Sequence, residues 1–317
     1  MLNGIEDLQA NWNGQMMPLS QVRISPLDRG WLFGDAMYEV IRVIHGKPWL
    51  AEEHIDRLCV GLQDLRIVGI SKEDLQTRLV DLIEGAKCLH GFVYMHVTRG
   101  VAPRRHLPFE DMVPNCLLYI QSFADIDPLA MKRSQGLSMM TTEDPRWKRT
   151  DLKTTNLLGS VMAGMDAARS GVDDAIFINA DGYVTETTHS NIFFVRHGRV
   201  ITPPCDGILN GVTRSYVIEL LESKGIPVHE EKVSETDLEQ MDEIFLTATM
   251  AGIMPVVAVN GRSIRSGRPG LMTTSLTNWL LKERAALKDP SGEKNTVKES
   301  QKMPKKSWLV SSNQDHV

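Results

Sequence analysis

The sequence predicts an α/β fold in two domains, on three observations. Stretches with strand periodicity alternate with stretches of helical periodicity along most of the chain. The segment FADIDPLAMKRSQG loses both periodicities and carries a proline and a glycine, which places the domain boundary there. The chain has 317 residues, enough for two domains of ordinary size. The expected division is a smaller N-terminal α/β domain over 1–124 and a larger one over 125–289. Residues 290–317 are polar with few apolar anchors and are expected to form a disordered tail.

Each element has a local reason. NWNGQMMPLSQVRIS reads as a hairpin turning at Asn13-Gly14, and MYEVIRVIHGKPWL as another turning at His45-Gly46. In AEEHIDRLCVGLQDLRI, Ile55, Leu58, Cys59, Leu62 and Leu65 fall on one helical stripe. SKEDLQTRLVDLIEGA opens with Ser71 as N-cap and Asp74 three residues on, a capping box, and ends at Gly85. GFVYMHVTRG alternates Phe92, Tyr94 and His96 against Val93, Met95 and Val97, a strand, and NCLLYIQSF is another. In the second part, LKTTNLLGSVMAGMDAARSG is expected to be a long helix stopped by Gly171. DDAIFINADGYVTE and SNIFFVRHGRVITP each read as strand, turn, strand. GVTRSYVIELLESKG is a helix, DEIFLTATMAGIMPVVAV two strands joined by a loop, and SLTNWLLKERAAL a last helix. No internal repeat appears.

Composition removes several functions. Formal net charge is -5 and hydrophobic residues are 42%, so nothing calls for nucleic acid or a membrane surface as partner. No apolar stretch is long enough to span a bilayer, and the start MLNGIEDLQANWNG lacks the basic-then-apolar pattern of a signal peptide. A cytoplasmic protein is expected. Cys59, Cys88, Cys116 and Cys205 are scattered without metal-ligand spacing, as reduced thiols would be, and no metal site is expected. Neither GxGxxG at the start of a helix nor GxxxxGK[ST] occurs.

Several residues carry two readings each. Lys153, where a loop meets an apolar helix, is either a solvated surface lysine or one held near an apolar core to form a Schiff base. Glu186, at a strand end in DGYVTE, is either a turn residue or a buried acid facing a cationic ring nitrogen. Arg57 is either an i,i+4 partner of Glu53 or a grip for a phosphate dianion. Arg104, Arg105 and His106 in APRRH form either a solvated basic loop or a carboxylate receptor.

The order of these pieces is more specific than any one of them. RGWLFGDAMYEV, HIDRL, RTDLKTTNLLG, GYVTETTHSNIFFV, GILNGVTR and FLTATMAGIMPV together resemble the fold-type-IV pyridoxal-phosphate aminotransferases from about Gly14 to Leu287. The resemblance implies two α/β domains with the cofactor, pyridoxal 5′-phosphate, between them. It implies that Lys153 is the catalytic Schiff-base lysine and that Glu186 pairs with the pyridine nitrogen. Arg57, Val212, Thr213 and Thr249 then hold the phosphate, and Leu209 packs against the ring. HVTRGVAPRRH is closest to the D-amino-acid aminotransferases, which implies a substrate-carboxylate trap of Tyr38, Arg104 and His106. The implied reaction exchanges an amino group between a D-amino acid and a 2-oxo acid such as pyruvate or 2-oxoglutarate, in a homodimer whose only other partners are these small molecules.

Two features depart from that pattern. The run after the glutamate is Thr187, Thr188, His189, Ser190 rather than serine-rich, and MAGIMP resembles the loop of R-selective amine transaminases. Both leave the side-chain range open. Branched-chain L-amino-acid or (R)-amine transamination is the alternative, followed by an aminodeoxychorismate lyase. From outside the class, the alternative is a binding protein without cofactor.

Overall fold

The structure is a computed structural model and describes residues 8–124 and 127–287; the predicted tail lies outside the described residues. The first sheet begins with β1 (Gln9–Trp12) and β2 (Gln15–Pro18), the predicted hairpin. Asn13 and Gly14 take φ of 51° and 90°, the paired positive angles that match a tight turn to strand twist. A short helix α1 (Arg29–Phe33) follows, capped by the Asp28 carboxylate, which accepts from the Gly30 amide at 2.8 Å. Then come β3 (Ala36–Ile44), β4 (Lys47–Pro48), α2 (Ala51–Asp64), α3 (Lys72–Gly85), β5 (His90–Thr98) and β6 (Asn115–Ser122). The six strands pair antiparallel in the order β2-β1-β6-β5-β3-β4.

The two faces of this sheet differ because side chains alternate along a strand. Ile41, Val93, Met95 and Leu118 point to the helices and are buried against Leu58, Leu62, Leu75, Leu79 and Leu82 of α2 and α3. Each such leucine contributes about 1.5–3 kcal/mol on burial. Tyr38, Phe92, Tyr94 and Tyr119 lie on the opposite face, half-buried, with Tyr38 stacked on Tyr94 at 5.6 Å between centroids.

The chain then enters a second sheet through α4 (Ala130–Gln135) and β7 (Leu137–Glu143). The sequence pattern of this stretch shows neither helical nor strand periodicity. After α5 (Leu158–Arg169) come β8 (Asp174–Ile178), β9 (Val184–Thr187), β10 (Asn191–Arg196) and β11 (Arg199–Thr202). They are followed by α6 (Val212–Ser223), β12 (Val228–Glu230), β13 (Glu243–Ala248), β14 (Gly252–Val259), β15 (Arg262–Ser263) and α7 (Leu271–Ala285). The nine strands form a mixed sheet ordered β12-β11-β10-β13-β14-β7-β8-β9, with β15 beside β14. Its strands β8, β10 and β13 are covered on both faces and carry continuous apolar runs. Phe193 and Phe245 stack at 4.9 Å under α6 and α7, while Ile192 and Phe194 enter the core on the other side.

The helix expected over LKTTNLLGSVMAGMDAARSG starts at Leu158, not at Leu152. Before it, Lys153 and Thr154 are tied to β3 by an isolated bridge between bends. The Tyr38 amide donates to the Lys153 carbonyl at 3.0 Å, and Thr154 bridges to Met37. The β-branched Thr154 suits such a bridge. This detour carries Lys153 to the first sheet although its sequence neighbours serve the second.

Candidate active site

A cavity of about 560 Å³ opens between the two sheets, within the size range of cofactor sites. Tyr38 and Val40 reach it from β3, Arg57 from α2 and Lys153 from the segment bridged to β3. Glu186 comes from β9, Leu209, Gly211, Val212 and Thr213 from the entry to α6, and Thr249 from the β13–β14 turn.

One end of the cavity presents donors. Arg57 is buried and is not paired with Glu53. Its Nε and Nη2 donate to Oε1 and Oε2 of Glu39 at 2.6 and 2.8 Å, and Nη1 donates to the Asn210 carbonyl at 2.9 Å. Glu39 is wholly buried and also meets His54 Nδ1 at 2.7 Å. Burial alone would raise its carboxyl, but Arg57 and His54 hold it well below the usual carboxylate range. Burial in turn pushes His54 down, more than Glu39 raises it, so the ring is neutral near pH 7. Its Nδ1–H then donates to Glu39, and Nε2 is left to accept from the Thr249 hydroxyl at 3.4 Å. α6 starts at Gly211 without a side-chain cap, so the amides of its first turn have no intrahelical partner and point their positive end into the cavity. Gly211 is required by close approach: a Cβ there would stand 1.9 Å from Asn191 Oδ1.

The other end presents an anion. Glu186 is buried, and its Oε1 accepts from Arg146 Nη1 and, at 3.3 Å, from the Leu209 amide. Oε2 accepts from Asn191 Nδ2 at 3.1 Å, which also donates to the Leu209 carbonyl at 2.9 Å. Burial pushes the Glu186 carboxyl up, and Arg146, the Leu209 amide and Lys153 draw it back only in part. Arg146 in turn is held by Asp144, with Nε to Oδ1 at 2.8 Å and Nη2 to Oδ2 at 2.7 Å. Lys153 Nζ donates to the Tyr38 hydroxyl at 3.3 Å and stands 4.4 Å from the centroid of that ring.

Of the residues singled out by sequence, Tyr38, Arg57, Lys153, Glu186, Leu209, Val212, Thr213 and Thr249 all line this cavity. Arg104 and His106 do not. Both are exposed on the loop after β5 and lie beside Phe33, at 5.5 Å for the Arg104 guanidinium and 5.6 Å between rings for His106. Buried Arg29 fixes that loop from below by donating to the carbonyls of Arg105 and His106 at 2.7 and 2.8 Å. His189 stands at the cavity edge, largely exposed, against the Thr188 hydroxyl at 2.8 Å. Sequence reasoning missed Glu39, His54, Asp144, Arg146 and Asn191. Only His54, in HIDRL with Arg57, lay in a segment quoted for its phosphate grip; EDPRW, which carries Asp144 and Arg146, lay just before the lysine segment.

The chemistry of this donor set fits a pyridoxal phosphate. A phosphate suits the arginine, the hydroxyls and the uncapped helix start; a protonated ring nitrogen suits the buried glutamate; and an aldehyde suits the lysine amine. The buried Thr247 hydroxyl lines the same cavity and has no hydrogen-bond partner among the described residues, an orphan that a bound group would satisfy. No cluster of metal-binding side chains is found among the described residues, and no helix there is long and apolar enough to cross a membrane.

These features define a fold-type-IV, pyridoxal-phosphate-dependent aminotransferase, and residues 36–259 match the family Amino-transferase class IV, to which the chain belongs. It is similar to the D-alanine aminotransferase of Bacillus licheniformis, 36% identical over 86% of this chain and 98% of that protein. It is also 33% identical to the D-alanine aminotransferase of Staphylococcus epidermidis, over 83% of this chain and 93% of that one. Among solved structures, the branched-chain amino acid aminotransferase of Escherichia coli superimposes with a TM-score of 0.82 at 24% identity, over 90% of this chain and 98% of that one. That of Thermobaculum terrenum, in its PLP form, gives a TM-score of 0.80 at 25% identity, over 89% of this chain and 95% of that one.

Proposed function

We propose that this enzyme transfers the amino group of a D-amino acid of the D-alanine or D-glutamate type to a 2-oxo acid such as pyruvate or 2-oxoglutarate. The observation that carries the reading is the similarity, at 36% identity over nearly the full length of the relative, to a D-alanine aminotransferase. It is supported by Tyr38, whose hydroxyl lies on the cavity wall 3.3 Å from Lys153 Nζ, within reach of a substrate held beside that amine. Pyridoxal phosphate supplies an electron sink that stabilises negative charge on the substrate carbon.

The residues then take distinct tasks. Lys153 would hold the cofactor covalently, and its free amine would take the proton from the substrate Cα. Glu186 would pair with the ring nitrogen and keep it protonated. Arg57, Thr213, Thr249 and the amides of Val212 and Thr213 hold the phosphate, and Leu209 packs against the ring. Tyr38, Arg104 and His106 bind the α-carboxylate, which leaves one enantiomer with its Cα–H toward Lys153.

Arg104 and His106 lie away from the cavity of their own chain, so this reading requires a second copy to deliver them. Exposed apolar side chains support a homodimer: Leu158, Val161, Met162 and Met165 on α5, and Leu107 and Val113 on the loop beyond His106. One specific observation favours a second reading. Trp147, Leu157, Val161 and Met250 give the cavity an apolar wall that suits a branched-chain L-amino acid or an (R)-amine.

The test is a panel of D- and L-amino acids and (R)- and (S)-amines with both oxo acids, scored by product chirality. Turnover of D-alanine and D-glutamate is expected. Strong preference for L-leucine or for (R)-1-phenylethylamine would replace the proposal with the second reading.

A further inference from the structure

Glu186 reaches the cavity already engaged by a cation. Paired with Arg146 alone it would be one half of a neutral couple, with little charge left to stabilise a proton on a ring nitrogen. The structure does not stop at that couple. Arg146 turns two of its nitrogens to Asp144, at 2.8 and 2.7 Å, and only Nη1 to Glu186. The fork is fixed from several sides. The Arg146 amide donates to Asp144 Oδ1 at 3.1 Å, and the Thr185 hydroxyl donates to Asp144 Oδ2 at 3.2 Å. The guanidinium lies 4.5 Å from the centroid of the buried Phe177 ring. Asp144 is ionised: burial pushes its carboxyl up, but the Arg146 contacts outweigh this and hold it below the usual range.

Two carboxylates therefore share one guanidinium, and the charge of Arg146 is not spent on Glu186 alone. Arg146 and Lys153 are the cations acting on Glu186, and on the reading above the Lys153 amine is engaged by the cofactor. The Cys205 thiol, which also feels Glu186, is pushed up by burial and stays neutral.

We infer that Asp144 is a positioning residue which, acting through Arg146, leaves Glu186 enough negative charge to keep the cofactor's ring nitrogen protonated. This rests on the proposed pairing of Glu186 with that nitrogen. Arg146 serves two ends at once. It draws the Glu186 carboxyl part of the way back from the rise that burial imposes, and it is itself partly neutralised by Asp144 so that it does not displace the ring proton. Asp144 is not among the residues that line the cavity.

The experiment is ¹⁵N NMR of holoenzyme reconstituted with ring-¹⁵N pyridoxal phosphate, followed against pH. Wild type is compared with D144N, D144E, R146Q, the double variant D144N/R146Q, and E186Q. Circular dichroism and melting temperature are recorded for each. E186Q is expected to lose the protonated signal. D144N is expected to lower the protonation midpoint by about one pH unit, and D144E to restore it. In the R146Q background, D144N is expected to add nothing, because the link to Glu186 is already cut. If D144N does not fold, D144S takes its place.

The failures separate cleanly. An E186Q spectrum like wild type overturns the pairing of Glu186 with the ring nitrogen, and the inference falls with it. A normal D144N midpoint beside a shifted E186Q leaves that pairing standing and overturns the role of Asp144. A D144N shift that persists without Arg146 overturns the relay. A merely structural Asp144 would lower the melting temperature and leave the nitrogen signal in place.

Discussion

Lys153 makes no ion pair among the described residues; its amine meets only the Tyr38 hydroxyl and ring. An amine kept free of carboxylates in a cavity is available for covalent attachment. K153A is expected to bind cofactor non-covalently and lose nearly all transamination. Borohydride reduction followed by peptide mapping checks it, and label on another lysine would show the assignment to be wrong. Arg104 differs, because it stands on an exposed loop held by Arg29. R104A is expected to cost about 2–5 kcal/mol in kcat/KM for D-alanine, the range for losing one partner of a desolvated charge pair. An (R)-amine without a carboxylate loses much less, and R105A leaves D-alanine turnover near wild type. Equal losses on both substrates in R104A would indicate damage to the loop instead of lost carboxylate binding. Residues with a motif around them, such as Lys153 and Glu186, were legible in the sequence. Arg146 was not, because a salt bridge between residues forty positions apart has no local spacing to betray it.

Elements were most legible where one local rule decided them. Ser71 and Asp74 form the expected box: the Asp74 amide donates to Ser71 Oγ at 3.0 Å, and the Ser71 amide to Asp74 Oδ2 at 3.3 Å. S71A is expected to destabilise the protein by about 1 kcal/mol, read from urea unfolding, with activity unchanged. The turns at Asn13-Gly14, His45-Gly46 and His197-Gly198 all have positive φ at both residues, as their sequences implied. The bridged segment at Lys153 was not legible, since its partner is β3, far away in sequence, and tertiary pairing overrode the helical pattern that followed. β7 was missed because LSMMTTE, set between parallel neighbours on both sides, shows no alternation of apolar and polar residues. At the start of α6, tight packing predicts a loss of function. G211A must push Asn191 away from Glu186 and Leu209, so cofactor affinity is expected to fall about tenfold or more, measured by equilibrium titration of the apoenzyme.

The buried Glu39–Arg57–His54 group links the first domain's core to the cavity, and it makes the stability of the whole molecule depend on pH. Glu39 has a folded pKa below its unfolded value of about 4.3, so its contribution is present above that pH and is lost as pH falls. His54 is also shifted down, from an unfolded value of about 6.5, so unfolding takes up a proton below that pH. Both act in the same direction: stability is expected to decline from about pH 6.5 downward and more steeply below about 4.3. E39Q leaves Arg57 buried without its counter-ion and is expected to cost about 3–5 kcal/mol at neutral pH while flattening the acid limb. Urea midpoints measured across pH check both, and an E39Q protein with the wild-type acid limb would show that other groups set it.

The hydrogen bond from the Tyr38 amide to the Lys153 carbonyl joins a strand of one sheet to a segment that belongs by sequence to the other. It is a single backbone proton stationed on the seam between two halves of the enzyme. Opening of that seam releases it to solvent, whereas breathing within either half does not. Hydrogen–deuterium exchange at this one amide therefore reads out how often the halves part. A cofactor gripped from both sides is expected to slow that exchange while leaving the amides of α3, remote from the seam, unaffected.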